Sequence, residues 1–119
     1  WRAASAAPGW DGPPVWVHGD LMPGNLLVRS GRLAGVIDWG LLGVGDPACD
    51  LLVAWTLLGP EQRHAFRAGL DVDDASWERG RGWALVTALN AIPYYLHANP
   101  GLVANARYRL GQVLKEVTA

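Results

Sequence analysis

Hydrophobic positions along the chain fall into two regimes. In the first third they form short runs, 15–17 (VWV), β-branched and aromatic as strands favour, and the further apolar runs 26–29 (LLVR) and 33–38 (LAGVID). Ser30-Gly31-Arg32 separates the second and third runs and has the composition of a tight hairpin turn, so these two runs are expected to pair antiparallel. Residues 1–14 mix small residues with Gly and Pro without any period and read as an entering loop.

Beyond Asp38 the period becomes helical. Gly43-Val44-Gly45 breaks the chain, Asp46 is a good N-cap and Pro47 suits the first helical position, which predicts a helix over 47–58. Gly59-Pro60 stops it, and a shorter helix is expected over 61–68, ended by Gly69. Asp73 or Asp74 caps a long segment, 77–97, in which Trp83, Val86, Leu89 and Asn90 lie on neighbouring turns and Pro93 introduces a kink. A last helix is expected over 102–117. The pattern predicts an α+β fold, mainly helical: three short antiparallel strands in one small sheet packed on four helices. Trp55, Trp77 and Trp83, at helical spacing, are expected in the core.

Composition narrows the function classes. The 119 residues carry 10 basic and 11 acidic side chains, a net charge of −1, which disfavours a protein that grips nucleic acid or an anionic membrane by charge. The longest apolar run, 51–58, is broken only by Thr56 and falls far short of the roughly 18 residues a membrane span needs. A single cysteine, Cys49, permits no intrachain disulfide and points to a reducing cytoplasm, with the thiol unpaired. Without an initiator Met or a signal peptide, the start at Trp1 reads as internal, as though a segment preceded it.

The chemistry concentrates between His18 and Asp50, in HGDLMPGN, IDWG and GDPACDLL. Asp20 and Asn25 have the spacing of Asp and Asn in the HRDxxxxN catalytic loop of protein kinases. At that spacing one tight loop, bent by Pro23-Gly24, offers a carboxylate to a substrate hydroxyl and an amide oxygen to a metal. The hairpin then returns Asp38. With Gly31-Arg32 as the turn, Asp38 lies opposite Asn25, Cα atoms about 5.5 Å apart or less; with Ser30-Gly31 as the turn it lies two residues further on. One amide and one carboxylate, completed by phosphate oxygens and water, suit Mg²⁺. Asp50, a charge inside an apolar helix, needs a partner. Asp71, Asp73 and Asp74 are better explained by helix capping than by a cationic ligand.

HGDLMPGNLLV, VIDWG and GDPACDLL resemble the C-terminal lobe of the aminoglycoside phosphotransferase family, kinase-like enzymes that transfer the ATP γ-phosphate to a hydroxyl of a small molecule. The resemblance extends loosely over most of residues 15–119. It implies a catalytic role for Asp20, metal ligation by Asn25 and Asp38, and support of the catalytic loop by His18 and Asp50. It also implies ATP as co-substrate, Mg²⁺ as cofactor, and an aminoglycoside or similar antibiotic or amino-alcohol as hydroxyl acceptor.

Relatives of this kind clamp ATP with a Gly-rich loop and a strand lysine, whereas the only lysine here is Lys115, in a C-terminal helix. Gly43-Val44-Gly45 lacks a third glycine and is expected to be a turn. The nucleotide lobe is therefore expected to lie outside this chain. The surface that would face it should be apolar and prone to self-association. The alternative is a non-catalytic kinase-like module that binds a small molecule or partner through its helical face.

Overall fold

The computed structural model describes residues 1–118. Its elements in order are α1 (Arg2–Ala6), β1 (Val15–Val17), a 3-10 turn (Pro23–Asn25), β2 (Leu26–Arg29), β3 (Arg32–Val36), β4 (Gly43–Gly45), a 3-10 segment (Pro47–Leu52), α2 (Val53–Thr56), α3 (Pro60–Leu70), α4 (Asp74–Tyr95) and α5 (Pro100–Thr118). The fold is mainly helical with small antiparallel sheets, as expected.

The strands differ from the expected single sheet. β2 pairs with β3, while β1 pairs separately with β4, Trp16 opposite Val44. Gly43-Val44-Gly45 is thus a strand and not a turn, because β1 supplies the hydrogen-bonding edge that two glycines could not signal by propensity. The β2–β3 hairpin turns at Ser30-Gly31, both at positive φ (51° and 74°), as a type I′ turn requires. Ala34 is an extra residue on β3, since Val28 pairs with Leu33 but Leu27 with Gly35. β3 ends at Val36 rather than at Asp38, whose φ of +58° cannot continue a strand.

The helices also depart in detail. The entering loop contains α1, an alanine-rich turn too short to show a period, packed so closely on α4 that a Cβ on Gly82 would meet Ala4 Cβ at 2.6 Å. The expected 47–58 helix is a tightly wound 3-10 segment followed by one α-helical turn that ends at Thr56. α3 runs past Gly69 and stops at Asp71, which takes the left-handed cap conformation itself. Asp73 caps α4, its Oδ1 accepting from Ser76 N at 2.7 Å, and the helix continues through Pro93 to Tyr95. Asn99 Oδ1 accepts from Leu102 N, and Pro100 opens α5.

The core forms where the 3-10 segment and α2 pack between α4 and α5, around Leu51, Leu52, Trp55, Trp77 and Val113. Trp83 is not part of it and is 44% exposed. α4 buries a stripe of small residues, Ser76, Gly80, Ala84 and Ala88, spaced four apart, and a Cβ on Gly80 would meet Leu51 Cβ at 2.7 Å. Close backbone approach, not bulk, selects this face, which leaves Trp83 and Leu89 outside.

Candidate active site

β1 delivers His18, Gly19 and Asp20 into a loop held from two sides. Asp50 Oδ2 accepts from His18 N at 2.7 Å and its Oδ1 from Gly19 N at 2.9 Å. The carboxylate that looked misplaced in an apolar helix is thereby paired with two backbone donors. Gly19 has φ +84°, and a Cβ there would meet the Leu41 carbonyl oxygen at 2.7 Å, so both conformation and space demand glycine.

His18 is 3% exposed and joins the loop that carries Asp20 to the segment that carries Asp38. Its Nδ1 accepts from Asp20 N at 3.1 Å, which puts the proton on Nε2, and Nε2 donates to the Ile37 carbonyl at 2.9 Å. The ring also meets Trp39 edge-on at 4.6 Å. The backbone on either side of this one imidazole leads to Asp20 and to Asp38.

Asn25 Nδ2 donates to the Asp20 carbonyl at 2.9 Å and to Asp20 Oδ2 at 3.1 Å. The amide is thereby oriented with Oδ1 free, and Asp20 keeps Oδ1 for another partner. Ile37 N donates to the Asn25 carbonyl, so Ile37 and not Asp38 faces Asn25. The bulge at Ala34 thus places Asp38 one residue beyond Asn25, between the two expected registers. Asp38 is exposed, and its carboxylate has no hydrogen bond or ion pair among the described residues.

Asp20 and Asn25 open onto a cleft of about 450 Å³ between the 18–25 loop and helices α4 and α5, walled by Leu52, Ala91, Leu102 and Tyr95. Asp38 does not line it, and lies on the hairpin beyond the loop. Neither Asn105 nor Arg109, both at the cleft, stood out in the sequence. They reach it only by folding, and nothing in the spacing of α5 marks them. Arg79, equally unforeseen, braces the entrance of the 3-10 segment: Nε bonds Asp46 Oδ2 at 2.7 Å. Burial acts to raise the Asp46 pKa, but Arg79 and the Ala48 amide together hold it below the usual carboxylate value. Burial, and the negative charge of Asp50, push the Cys49 thiol up to about 11.

Residues 1–84 match the model of the phosphotransferase enzyme family. An aminoglycoside 3'-phosphotransferase of Escherichia coli is 44% identical over 45 residues, 38% of this chain and 17% of that protein. The uncharacterised protein YcbJ of Bacillus subtilis is 37% identical over 54 residues, 44% of this chain and 18% of that protein. Two solved structures share the fold. The gentamicin complex of APH(2")-IIa matches with a TM-score of 0.54 and 26% identity, over 89% of this chain and 36% of that one. ADP-bound aminoglycoside phosphotransferase APH(2'')-Ib matches with a TM-score of 0.53 and 25% identity, over 83% of this chain and 36% of that one. The chain thus spans about a third of these structures, and its matched segments span under a fifth of the curated relatives. With the family model covering well over half of its residues, the chain belongs to the phosphotransferase enzyme family.

Proposed function

We propose that this chain is the catalytic C-terminal lobe of an ATP-dependent phosphotransferase that moves the γ-phosphate to a hydroxyl of a small molecule. The observation that carries the reading is the pose of Asp20, oriented by Asn25 at the mouth of the cleft on a loop clamped by Asp50. An acceptor hydroxyl in the cleft meets Asp20 Oδ1, which orients it and takes its proton as the oxygen attacks the γ-phosphorus. The Asn25 bond keeps the other carboxylate oxygen occupied and the carboxylate fixed, so little reorganisation accompanies the transfer.

Mg²⁺ suits the free oxygens present. Asn25 Oδ1 and the unpartnered Asp38 carboxylate are hard ligands, and they would hold the ion, which when bound neutralises charge on the nucleotide phosphates. His18 and Asp50 act as supports, coupling Asp20 to the Asp38 loop and to the core. A nucleotide lobe with its phosphate clamp lies, on this reading, in the rest of the enzyme. The reducing cytoplasm, where ATP is available, is its compartment. Among the described residues no helix is long and apolar enough to cross a membrane.

The test is turnover in the complete enzyme, followed as acceptor-dependent ADP release. Asp20→Ala should lower kcat by roughly 10²–10⁴-fold with nucleotide affinity nearly unchanged. Wild-type turnover in that variant would sink the assignment.

A further inference from the structure

Arg109 is 2% exposed and forms no ion pair among the described residues. Its Nη1 donates to the Met22 sulfur at 3.1 Å and contacts Thr56 Oγ1 at 3.5 Å, while Nε has no partner. One helical turn earlier, Asn105 Oδ1 is buried and equally without a partner. Both residues line the cleft that Asp20 enters. A guanidinium buried without a hydrogen-bonded carboxylate is costly, and a purely structural role leaves that cost unexplained. Burial pulls its pKa below the usual arginine value, and the charge of Asp20 opposes this; the group stays protonated at neutral pH.

The charge balance of the cleft follows. Asp20 is the only carboxylate among its lining residues and Arg109 the only cation, so the two offset each other. Asp71, Asp73 and Asp74 sit at the far end of α4, where Asp74 is about 20 Å along the helix from Thr87 at the cleft. They offer nothing to a ligand beside Asp20. The remaining walls, Leu52, Ala91, Leu102 and Tyr95 among them, are apolar or uncharged. An acceptor with several ammonium groups would find one carboxylate and a buried opposing charge.

Resting on the phosphotransferase reading, we propose that Arg109 makes this cleft select an uncharged or at most singly cationic hydroxyl acceptor with an apolar body, and reject polycations. Arg109 acts through the field it sets beside Asp20, as a specificity-determining residue.

The experiment is calorimetric titration of this chain with a neutral glycoside (octyl β-glucoside), a monobasic macrolide (erythromycin) and a polycation (kanamycin). At low ionic strength the first two should bind and kanamycin should not. Arg109→Met should improve kanamycin affinity at least about tenfold with little change for the glycoside, and Arg109→Lys, which keeps the charge, should restore the exclusion. If Arg109→Met fails to fold by circular dichroism, the wild-type ranking decides alone. Kanamycin binding wild type more tightly than the glycoside, or unaltered by loss of the charge, would overturn the acceptor class. Either result leaves the Asp20→Ala turnover test, and with it the phosphotransferase reading, standing. Binding of none of the three to wild type would overturn this inference whatever that turnover test returns.

Discussion

At the scale of single residues, Asp38 pays for its position in backbone strain. A non-glycine residue at φ +58° is disfavoured by about 1 kcal/mol or more, and no side-chain partner offsets that. Asp38→Gly should therefore leave thermal stability unchanged or raise it by up to about 1 kcal/mol, while abolishing metal-dependent nucleotide binding in the complete enzyme. A stability loss with binding intact would show that the carboxylate is structural. Cys49 behaves oppously to a reactive thiol. With its pKa raised to about 11, first by burial and then by Asp50, only about one thiol in a thousand is ionised at pH 8. Alkylation by iodoacetamide should be roughly a hundredfold slower than for a free cysteine and should climb with pH until about 11. Fast labelling at pH 8 would contradict this. The placement of Asp20, Asn25 and Asp38 on one loop and one hairpin was legible from their spacing, whereas the support roles expected of His18 and Asp50 came from the family resemblance alone. Arg109 and Asn105 were not legible, because only the packing of α5 brings them to Asp20.

At the scale of elements, the largest misreading concerns α4. Sequence periodicity looks for bulk, and it places Trp77 correctly in the core, yet Trp83 and Leu89 stay outside while the small residues Ser76, Gly80, Ala84 and Ala88 are buried. Two glycines separate the effects of propensity and packing. Gly80→Ala gains about 1 kcal/mol of helix propensity but drives a Cβ to 2.7 Å from Leu51 Cβ, a clash costing about 1–3 kcal/mol. The variant should melt at a lower temperature than wild type. On α5, a Cβ on Gly111 meets nothing within 4 Å, so Gly111→Ala should stabilise by about 0.5–1 kcal/mol. Equal shifts in both melting curves would mean that α4 does not pack through Gly80. The hairpin and the caps at Asp46, Asp73 and Asn99 follow local rules and could be read in advance; β4 could not, because its pairing with β1 is 28 residues distant in register at Trp16↔Val44 and rests on no local signal.

For the whole molecule, the core is one-sided. Burial concentrates where the 3-10 segment, α2, α4 and α5 meet, while the strands and the connection between β3 and β4 show apolar side chains to solvent: Trp16 at 73% exposure, Val28, Leu33, Trp39, Leu41 and Val44. Single exposed apolar residues are ordinary, but a set concentrated in one stretch of chain is the pattern of a covered surface. β3 leads to Asp38 and β1 to Asp20, so these exposed apolar residues and both carboxylates belong to one region of the chain. On the phosphotransferase reading this is where the nucleotide lobe rests, and it is also where this chain lacks any lysine or glycine-rich cradle to grip the β- and γ-phosphates. Two outcomes are linked by that geometry. Titrating Mg-ATP into the 119-residue chain should give no tight, metal-dependent binding, because Asn25 and Asp38 supply only two oxygen ligands. Sedimentation should show concentration-dependent self-association, which Trp16→Ser with Leu33→Ser weakens without lowering helicity. Tight Mg-ATP binding by a monomeric chain would contradict both outcomes, since it would require a phosphate site within these residues and an apolar face that needs no cover.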